Sequence, residues 1–203
     1  SLNQIEYKYP NQEPEKETIH HVHDAPDRIW SYMQQYEMKG AVNEAAFAQG
    51  LYGYTAYDAI PFFDTIQFKE GAPIIPLMRY RLYQYVIAFN HFKDEIFICE
   101  NKIDGIDSEY NALMSFIKSK DVPQYPFFIK GTERVNQTDA EFIKVVKKGI
   151  QHCMRGDVFQ IVLSRRFQQS FQGDEFNVYR TLRNINPSPY LFFFDYGNFK
   201  IFG

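Results

Sequence analysis

The stretch MRGDVFQIVLSRRF, residues 154 to 167, decides how the second half of the chain is built. Its Arg-Gly-Asp start ends a helical pattern, because Gly156 can close a helix in the left-handed conformation that other residues avoid. Residues then alternate as they do along a strand, and we expect a strand over residues 158 to 167. Four apolar residues, interrupted by Arg165, share the face that we expect in the core: Phe159, Ile161, Leu163 and Phe167.

The opposite face of this predicted strand carries Gln160, Ser164 and Arg166 beside two valines. A guanidinium pairs with a carboxylate through two parallel hydrogen bonds, so these three residues are candidates for lining a wet cavity that holds a small anionic ligand. A simply solvated face is the alternative, and alternation alone favours it.

Local signals place further elements on both sides of the stretch. Thr138 and Glu141 form a capping box, which predicts that a helix begins there. After the strand, Gly173 leads into a second helix that ends before NPSPY, residues 186 to 190. The runs LFFFD and FKIF flank Gly197, whose positive φ suits a tight hairpin.

The first half of the sequence mixes helices with hairpins. We predict helices over residues 25 to 37 and 107 to 119, a strand over 50 to 58, and a hairpin from RYRLYQYVIAFN and EIFICEN. Between residues 120 and 137 the periodicity disappears, which indicates a boundary. We therefore expect an α+β fold of layered antiparallel sheets with outer helices, in two regions, 1 to 134 and 135 to 203.

Composition excludes several classes of protein. The net charge is -3, from 22 basic and 25 acidic residues without long single-sign blocks, so we expect no nucleic-acid partner. No apolar run is long enough to span a bilayer, and the two cysteines are far apart, so we expect a cytoplasmic protein with no membrane association. The chain starts with serine and ends on FKIFG, which suggests an excised fragment.

No metal site is predicted from the residues alone. His20, His21 and His23 are close together, yet their spacing matches no familiar ligand set, and a surface strand or loop is the expected location. NPSPY is rigid because each proline fixes its own φ and restricts the residue before it. It is either a stiff connector or a segment that presents groups to a ligand.

Taken together, GDVFQIVLSRRF and FNVYRTLRNINPSPYLFFFDYGNFKIFG resemble the start of the chorismate-binding domain in component I of anthranilate synthase. Upstream, QGLYGYTAYDAIPFF and YQYVIAFNHFKDEIFICEN resemble the N-terminal part of the same family, so the similarity covers residues 28 to 203. The fold that this implies is an incomplete anthranilate-synthase-type fold.

The resemblance implies an enzyme that, with Mg²⁺, adds ammonia to chorismate and eliminates pyruvate to give anthranilate in tryptophan biosynthesis. Its ammonia would come from a glutamine amidotransferase subunit, component II. In this family the Mg²⁺ ligands and most chorismate-binding residues lie beyond the position that matches Gly203. The resemblance therefore implies that the catalytic residues lie outside this chain and that the fragment alone is inactive.

The resemblance also implies half of a tryptophan feedback site. In tryptophan-inhibited members the inhibitor packs against the end of an NPSPYM segment and against an LLES-type segment. Pro189 and Tyr190 match, Leu191 replaces methionine, and Asn186 and Ser188 belong to the same segment, but no LLES segment is present. We expect the strand with Gln160 to Arg166 and the NPSPY connector to couple the tryptophan and chorismate sites.

Two alternatives stay open. Component I of aminodeoxychorismate synthase aminates chorismate at another carbon for folate synthesis, and the NPSPY segment favours anthranilate synthase over it. A non-catalytic tryptophan-binding module that kept the fold is the second alternative.

Overall fold

The computed structural model describes residues 4–37, 50–66, 68 and 73–203. The chain mixes helices with small antiparallel sheets, as predicted, and every sheet among these residues has two strands. The chain divides into two units, Ser1–Ser119 and Lys120–Gly203. Within the described ranges, no helix is long and apolar enough to cross a membrane.

In its described residues, the first unit has three antiparallel strand pairs and two α-helices. In chain order its elements are β1 (Gln4–Tyr7), β2 (Glu15–Thr18), α1 (Ala25–Met33), β3 (Tyr52–Thr55), β4 (Met78–Arg81), β5 (Tyr85–Asn90), β6 (Glu95–Glu100) and α2 (Tyr110–Lys118), with 3-10 turns at Val22–Asp24 and Tyr57–Phe62. The pairs are β1 with β2, β3 with β4, and β5 with β6, all antiparallel.

A small apolar cluster lies in the N-terminal part of this unit. Ile19, Ala25, Ala59 and Phe62 are buried in it. The strand predicted over residues 50 to 58 is shorter in the structure, where it is β3. A Cβ on Gly53 would lie 2.0 Å from the Arg79 carbonyl oxygen, so the close approach of these two backbones requires glycine here.

The predicted hairpin is confirmed over β5 and β6, whereas the first three residues of RYRLYQYVIAFN belong to β4 and pair with β3. Residues 91 to 94 connect the strands, and the Asn90 side-chain oxygen accepts the backbone N–H groups of Phe92 and Lys93. Asp94 has a φ of 53°, the left-handed conformation that turns require and that Asp tolerates better than most residues.

Both helices of this unit exist, but they bury less than predicted. In α1, which ends at Met33 instead of residue 37, Trp30 is exposed, although the apolar spacing of Ile29, Trp30 and Met33 is typical of a core-facing helix. In α2, which starts three residues later than predicted, the hydroxyl of Ser108 still accepts the N–H of Tyr110. Helical periodicity predicted these elements correctly but overestimated their burial.

The second unit carries two helices and two strand pairs. In chain order they are β7 (Phe127–Val135), α3 (Asp139–Met154), β8 (Phe167–Gly173), α4 (Phe176–Ile185), β9 (Phe193–Asp195) and β10 (Lys200–Phe202). β7 pairs with β8 and β9 with β10, both antiparallel. The strand β7 lies within residues 120 to 137, where the sequence shows no periodicity, because its ladder partner β8 is distant in the sequence and leaves no local signal.

Aromatic rings join α4 to the terminal hairpin. Phe176 and Tyr179 of α4 contact Phe193 of β9 at ring-centroid distances of 5.0 and 5.5 Å, and Phe202 stacks on Phe193 at 5.7 Å. Such ring pairs stabilise a fold beyond the apolar area that they bury. This cluster fixes the hairpin on α4 and so determines where the connector between them, residues 186 to 192, runs.

The predicted strand over residues 158 to 167 is wrong over most of its length. Only Phe167 belongs to a strand, as the first residue of β8. Just before it, the Asn136 side-chain oxygen accepts the Arg166 N–H, which a neighbouring strand would otherwise take. Phe159 is fully exposed, and Ile161 and Phe167 are exposed as well, so the assignment of these three residues to the core is also wrong.

Candidate functional site

The candidate site is built on α3, whose start is fixed by its capping box. The backbone N–H of Thr138 donates to Glu141 Oε2 at 2.8 Å, and the Glu141 N–H donates to the Thr138 hydroxyl at 3.4 Å. Donation from Thr138, first through its backbone and then through its side chain, lowers the pKa of the Glu141 carboxyl. The prediction of a helix start at Thr138 is confirmed.

The end of α3 is fixed by Gly156, as predicted. Gly156 has a φ of 78°; its N–H donates to the Cys153 carbonyl and the N–H of Asp157 donates to the His152 carbonyl. These two bonds form a Schellman motif. The Asp157 carboxylate also binds His152 Nδ1 at 2.8 Å and Arg155 at 2.7 Å, contacts that lower its pKa. The chain therefore leaves α3 in a defined direction.

Residues 158 to 166 then run back along α3 without a hydrogen-bonded strand partner of their own. The side chains of Ile161 and Leu163 lie against Gly149 of α3, where an added Cβ would come within 3.6 and 3.0 Å of them. The Arg165 guanidinium binds the Asp139 carboxylate at 2.6 Å at the first turn of α3. The side chains of Ile161, Leu163 and Arg165 therefore face α3, although this stretch is not a strand.

The other side of this segment carries the predicted cavity residues. Gln160, Ser164 and Arg166 are all exposed, and Val162 is exposed between them. The Arg166 backbone is held to Asn136 by two hydrogen bonds, of 2.9 and 3.2 Å. In the part of the chain that the structure describes, the Arg166 guanidinium makes no ion pair, so it is available to an anion.

The NPSPY connector lies between α4 and β9. Its helix-proximal residue, Asn186, donates its N–H to the Leu182 carbonyl, and the Ser188 hydroxyl accepts the N–H of Tyr190 at 3.3 Å. Pro189 and Tyr190 form a turn, in which the Tyr190 side chain is 86% exposed. Leu191 is half-buried at the start of the hairpin.

The two predicted sets of residues both belong to the second unit. Among the described residues no hydrogen bond or ion pair joins Gln160, Ser164 or Arg166 to the NPSPY connector. The structure thus presents two exposed groups of side chains rather than one closed pocket.

A metal centre was tested against the carboxylates, histidines and cysteines. Residues 4–37, 50–66, 68 and 73–203 contain no group of three or more such side chains placed to hold an ion. No chemical step is assigned to the Mg²⁺ that the resemblance implies. His23 instead places Nδ1 3.3 Å from the Phe62 carbonyl oxygen.

Sequence reasoning missed two polar contacts near these residues. Arg165 was noted only as an exception on an apolar face, yet its side chain is just 14% exposed and is paired with Asp139. Lys200 of β10 forms an ion pair with Glu175, the residue before α4. A lone arginine among apolar positions was the one available signal for the first contact, and nothing local indicated the second.

Comparison with known proteins identifies the kind of chain this is. The family described as chorismate binding enzyme matches residues 3–203. The chain is 32% identical over 171 residues to "Anthranilate synthase component 1" of Aquifex aeolicus, covering 77% of this chain and 35% of that protein. It is 31% identical over 166 residues to the protein of the same name from Lactococcus lactis, covering 77% and 36%.

A solved structure agrees with these relatives. The crystal structure of anthranilate synthase component I from Streptococcus pneumoniae matches 98% of this chain and 47% of that chain, with a TM-score of 0.69 and 25% identity. This chain thus spans about a third of the length of the two relatives and under half of the crystallised chain. By its match over residues 3–203, the chain belongs to the chorismate binding enzyme family.

Proposed function

We propose that this chain is part of a cytoplasmic lyase that forms anthranilate and pyruvate from chorismate and ammonia, with Mg²⁺ as cofactor. The observation that carries the proposal is that both relatives and the crystal structure are named anthranilate synthase component I. In the proposed reaction, ammonia adds to the ring, the ring hydroxyl leaves as water, and pyruvate is then eliminated. Ammonia comes from a glutamine amidotransferase subunit, component II.

The first test identifies the product of the full-length protein. Purified protein is given chorismate, Mg²⁺ and ammonium, and the product is identified by mass spectrometry. Anthranilate supports the proposal. Aminodeoxychorismate selects the folate-pathway enzyme instead, and no turnover with tryptophan still bound selects a non-catalytic module. Glutamine should replace ammonium only when the amidotransferase subunit is added.

Within this activity, we assign the exposed face of Gln160, Ser164 and Arg166 to an anionic ligand. Chorismate carries two carboxylates, and the Arg166 guanidinium is exposed and free of other ion pairs among the described residues. Arg166→Ala should raise the KM for chorismate severalfold, because a bidentate charge-assisted contact is lost. Arg183→Ala is the matched control, since Arg183 is an exposed arginine of α4 on the same unit. Equal effects of both variants would contradict the assignment.

We further propose that the NPSPY connector forms part of a tryptophan feedback site. Asn186, Ser188, Pro189, Tyr190 and Leu191 contribute to it, and the exposure of the Tyr190 ring supports this role because the ring is open to a second aromatic group. The replacement of methionine by Leu191 roughly conserves side-chain volume.

The feedback proposal is tested by the ratio of turnover with and without tryptophan. In Tyr190→Ala this ratio should rise toward one, because the ring that contacts the inhibitor is gone. Tyr125→Ala is the control, as Tyr125 is also an exposed tyrosine of the second unit. Inhibition that is unchanged in Tyr190→Ala would exclude the connector from the site.

A further inference from the structure

Arg165 differs from Arg166, the other basic residue of the 158–166 segment, in that its side chain is largely buried. Only 14% of its side chain is exposed, its Nη1 donates to Asp139 Oδ1 at 2.6 Å, and its guanidinium carbon lies 4.7 Å from the centre of the Phe167 ring. Its Nε is buried and has no hydrogen-bond partner among the described residues. A buried guanidinium with one unpaired N–H is costly, so the stability of this arrangement depends on the other contacts that the guanidinium makes.

These contacts join three parts of the second unit. Asp139 is the first residue of α3, Phe167 is the first residue of β8, and Arg165 lies one residue before the end of the segment of residues 158 to 166. The chain segment is otherwise held at this point by the pairing of Arg166 with Asn136. Because Ile161 and Leu163 already face α3, fixing Arg165 toward α3 also fixes which side chains face away from it.

We propose that Arg165 is a positioning residue that holds the 158–166 segment in its alternation, so that Gln160, Ser164 and Arg166 present one face to the ligand. The role of that face rests on the proposed function above, whereas the positioning itself does not. Arg165 acts through the segment and not on the substrate.

The positioning is tested on the chain itself by trypsin cleavage of the Arg166–Phe167 bond, followed by mass spectrometry. Cleavage requires local opening, because the Arg166 carbonyl accepts the Asn136 N–H. Asp139→Ala removes the ion pair by truncating a side chain that is 86% exposed, so little buried contact is lost with it. This variant should accelerate cleavage severalfold. Arg165→Met should do the same, and the double variant should cleave no faster than either single one.

Asp157→Asn is the matched control, since it breaks an ion pair at the other end of α3 and should leave cleavage at this bond unchanged. Arg165→Lys keeps the charge and should restore most of the protection. Unchanged cleavage in both Asp139→Ala and Arg165→Met, or fully additive effects in the double variant, would overturn the positioning role.

A second measurement separates this inference from the proposed function. In the full-length protein, Asp139→Ala should raise the KM for chorismate severalfold with kcat within about twofold, a split expected when only ligand placement is disturbed. Faster cleavage with unchanged KM would overturn the link to the ligand face while leaving the positioning intact. If the unmodified full-length protein turns over no chorismate, the proposed function fails, and the cleavage experiment still decides the positioning.

Discussion

Single residues set the ends of α3, and Thr138 stabilises its N-terminal end. Its hydroxyl accepts the N–H of Glu141, a donor that the helix start would otherwise leave unpaired. We expect Thr138→Ala to lower the free energy of unfolding by about 0.5–2 kcal/mol, measured by urea denaturation followed by circular dichroism. Thr181→Ala is the control, because Thr181 lies inside α4 and its hydroxyl only donates back to the Asn177 carbonyl. An equal loss in both variants would contradict a capping role.

Gly156 affects stability through its backbone conformation and not through side-chain contacts. A Cβ there would meet no atom within 4 Å, so any cost of Gly156→Ala comes from its φ of 78° alone. We expect this variant to destabilise the protein by about 1–2 kcal/mol, the penalty of a left-handed conformation for an L-residue. Gly156→Asn should lose clearly less, since Asn tolerates this region better. Unfolding free energies that are equal for the Ala and Asn variants would show that strain is not the cause.

At the level of elements, the Glu175–Lys200 ion pair ties β10 to the start of α4. Lys200 lowers the pKa of the Glu175 carboxyl from its ordinary value of 4.5, mainly by hydrogen bonding. A carboxyl with a lowered folded-state pKa contributes stability that is present above its ordinary pKa and lost as the pH falls through the folded-state value. We expect the urea concentration at the midpoint of unfolding to decrease as the pH is lowered from about 5 to about 3. The decrease should be less steep in Glu175→Gln.

Glu133→Gln is the control for this pH dependence, because Glu133 is an exposed carboxylate of β7 on the same unit. It should leave the slope of the urea midpoint against pH as in the unmodified chain. A Glu175→Gln variant with an unchanged slope would show that the ion pair does not couple β10 to α4 in solution.

Some of the helices, turns and strands could be predicted from the sequence and others could not. The capping box, the Gly156 helix end and the β5–β6 hairpin depend on residues close together in the chain, and the structure confirms them. The strand predicted over residues 158 to 167 required a hydrogen-bonding partner that alternation cannot supply. The alternation of side chains was nevertheless informative, because Ile161 and Leu163 do lie against α3.

In the candidate site, too, the features that depend on neighbouring residues were recognised from the sequence and a long-range contact was not. The connector at residues 186 to 190 and the exposed face with Arg166 were found from the sequence, because prolines and alternation are local features. The Asp139–Arg165 pair spans 26 residues and was missed, since no short-range pattern relates a helix start to the end of a distant segment. Contacts of this kind, which depend on packing, need coordinates.

At the scale of the whole molecule, the described residues contain many more exposed than buried large apolar side chains. None of the large side chains among them is fully buried, while Phe159, Met154, Val162 and Ile150 are exposed along α3 and the segment after it. Monomeric soluble proteins rarely expose large contiguous apolar patches.

This exposure predicts how the chain behaves on its own. We expect it to bind the dye ANS with a large rise in fluorescence, because the dye reports accessible apolar surface. Phe159→Ser should reduce that signal and change the free energy of unfolding by no more than about 0.5 kcal/mol, as expected for an exposed position.

Leu163→Ser is the matched variant, and it should change both the free energy of unfolding and the dye fluorescence differently from Phe159→Ser. Leu163 is half-buried against Gly149, so its loss should lower the free energy of unfolding by about 2 kcal/mol or more, with a rise instead of a fall in dye fluorescence. Both variants are measured by urea denaturation and dye titration on the same preparation. If Phe159→Ser proved as destabilising as Leu163→Ser, Phe159 would have to be packed in solution, and the one-sided packing of residues 158 to 166 on α3 would be contradicted.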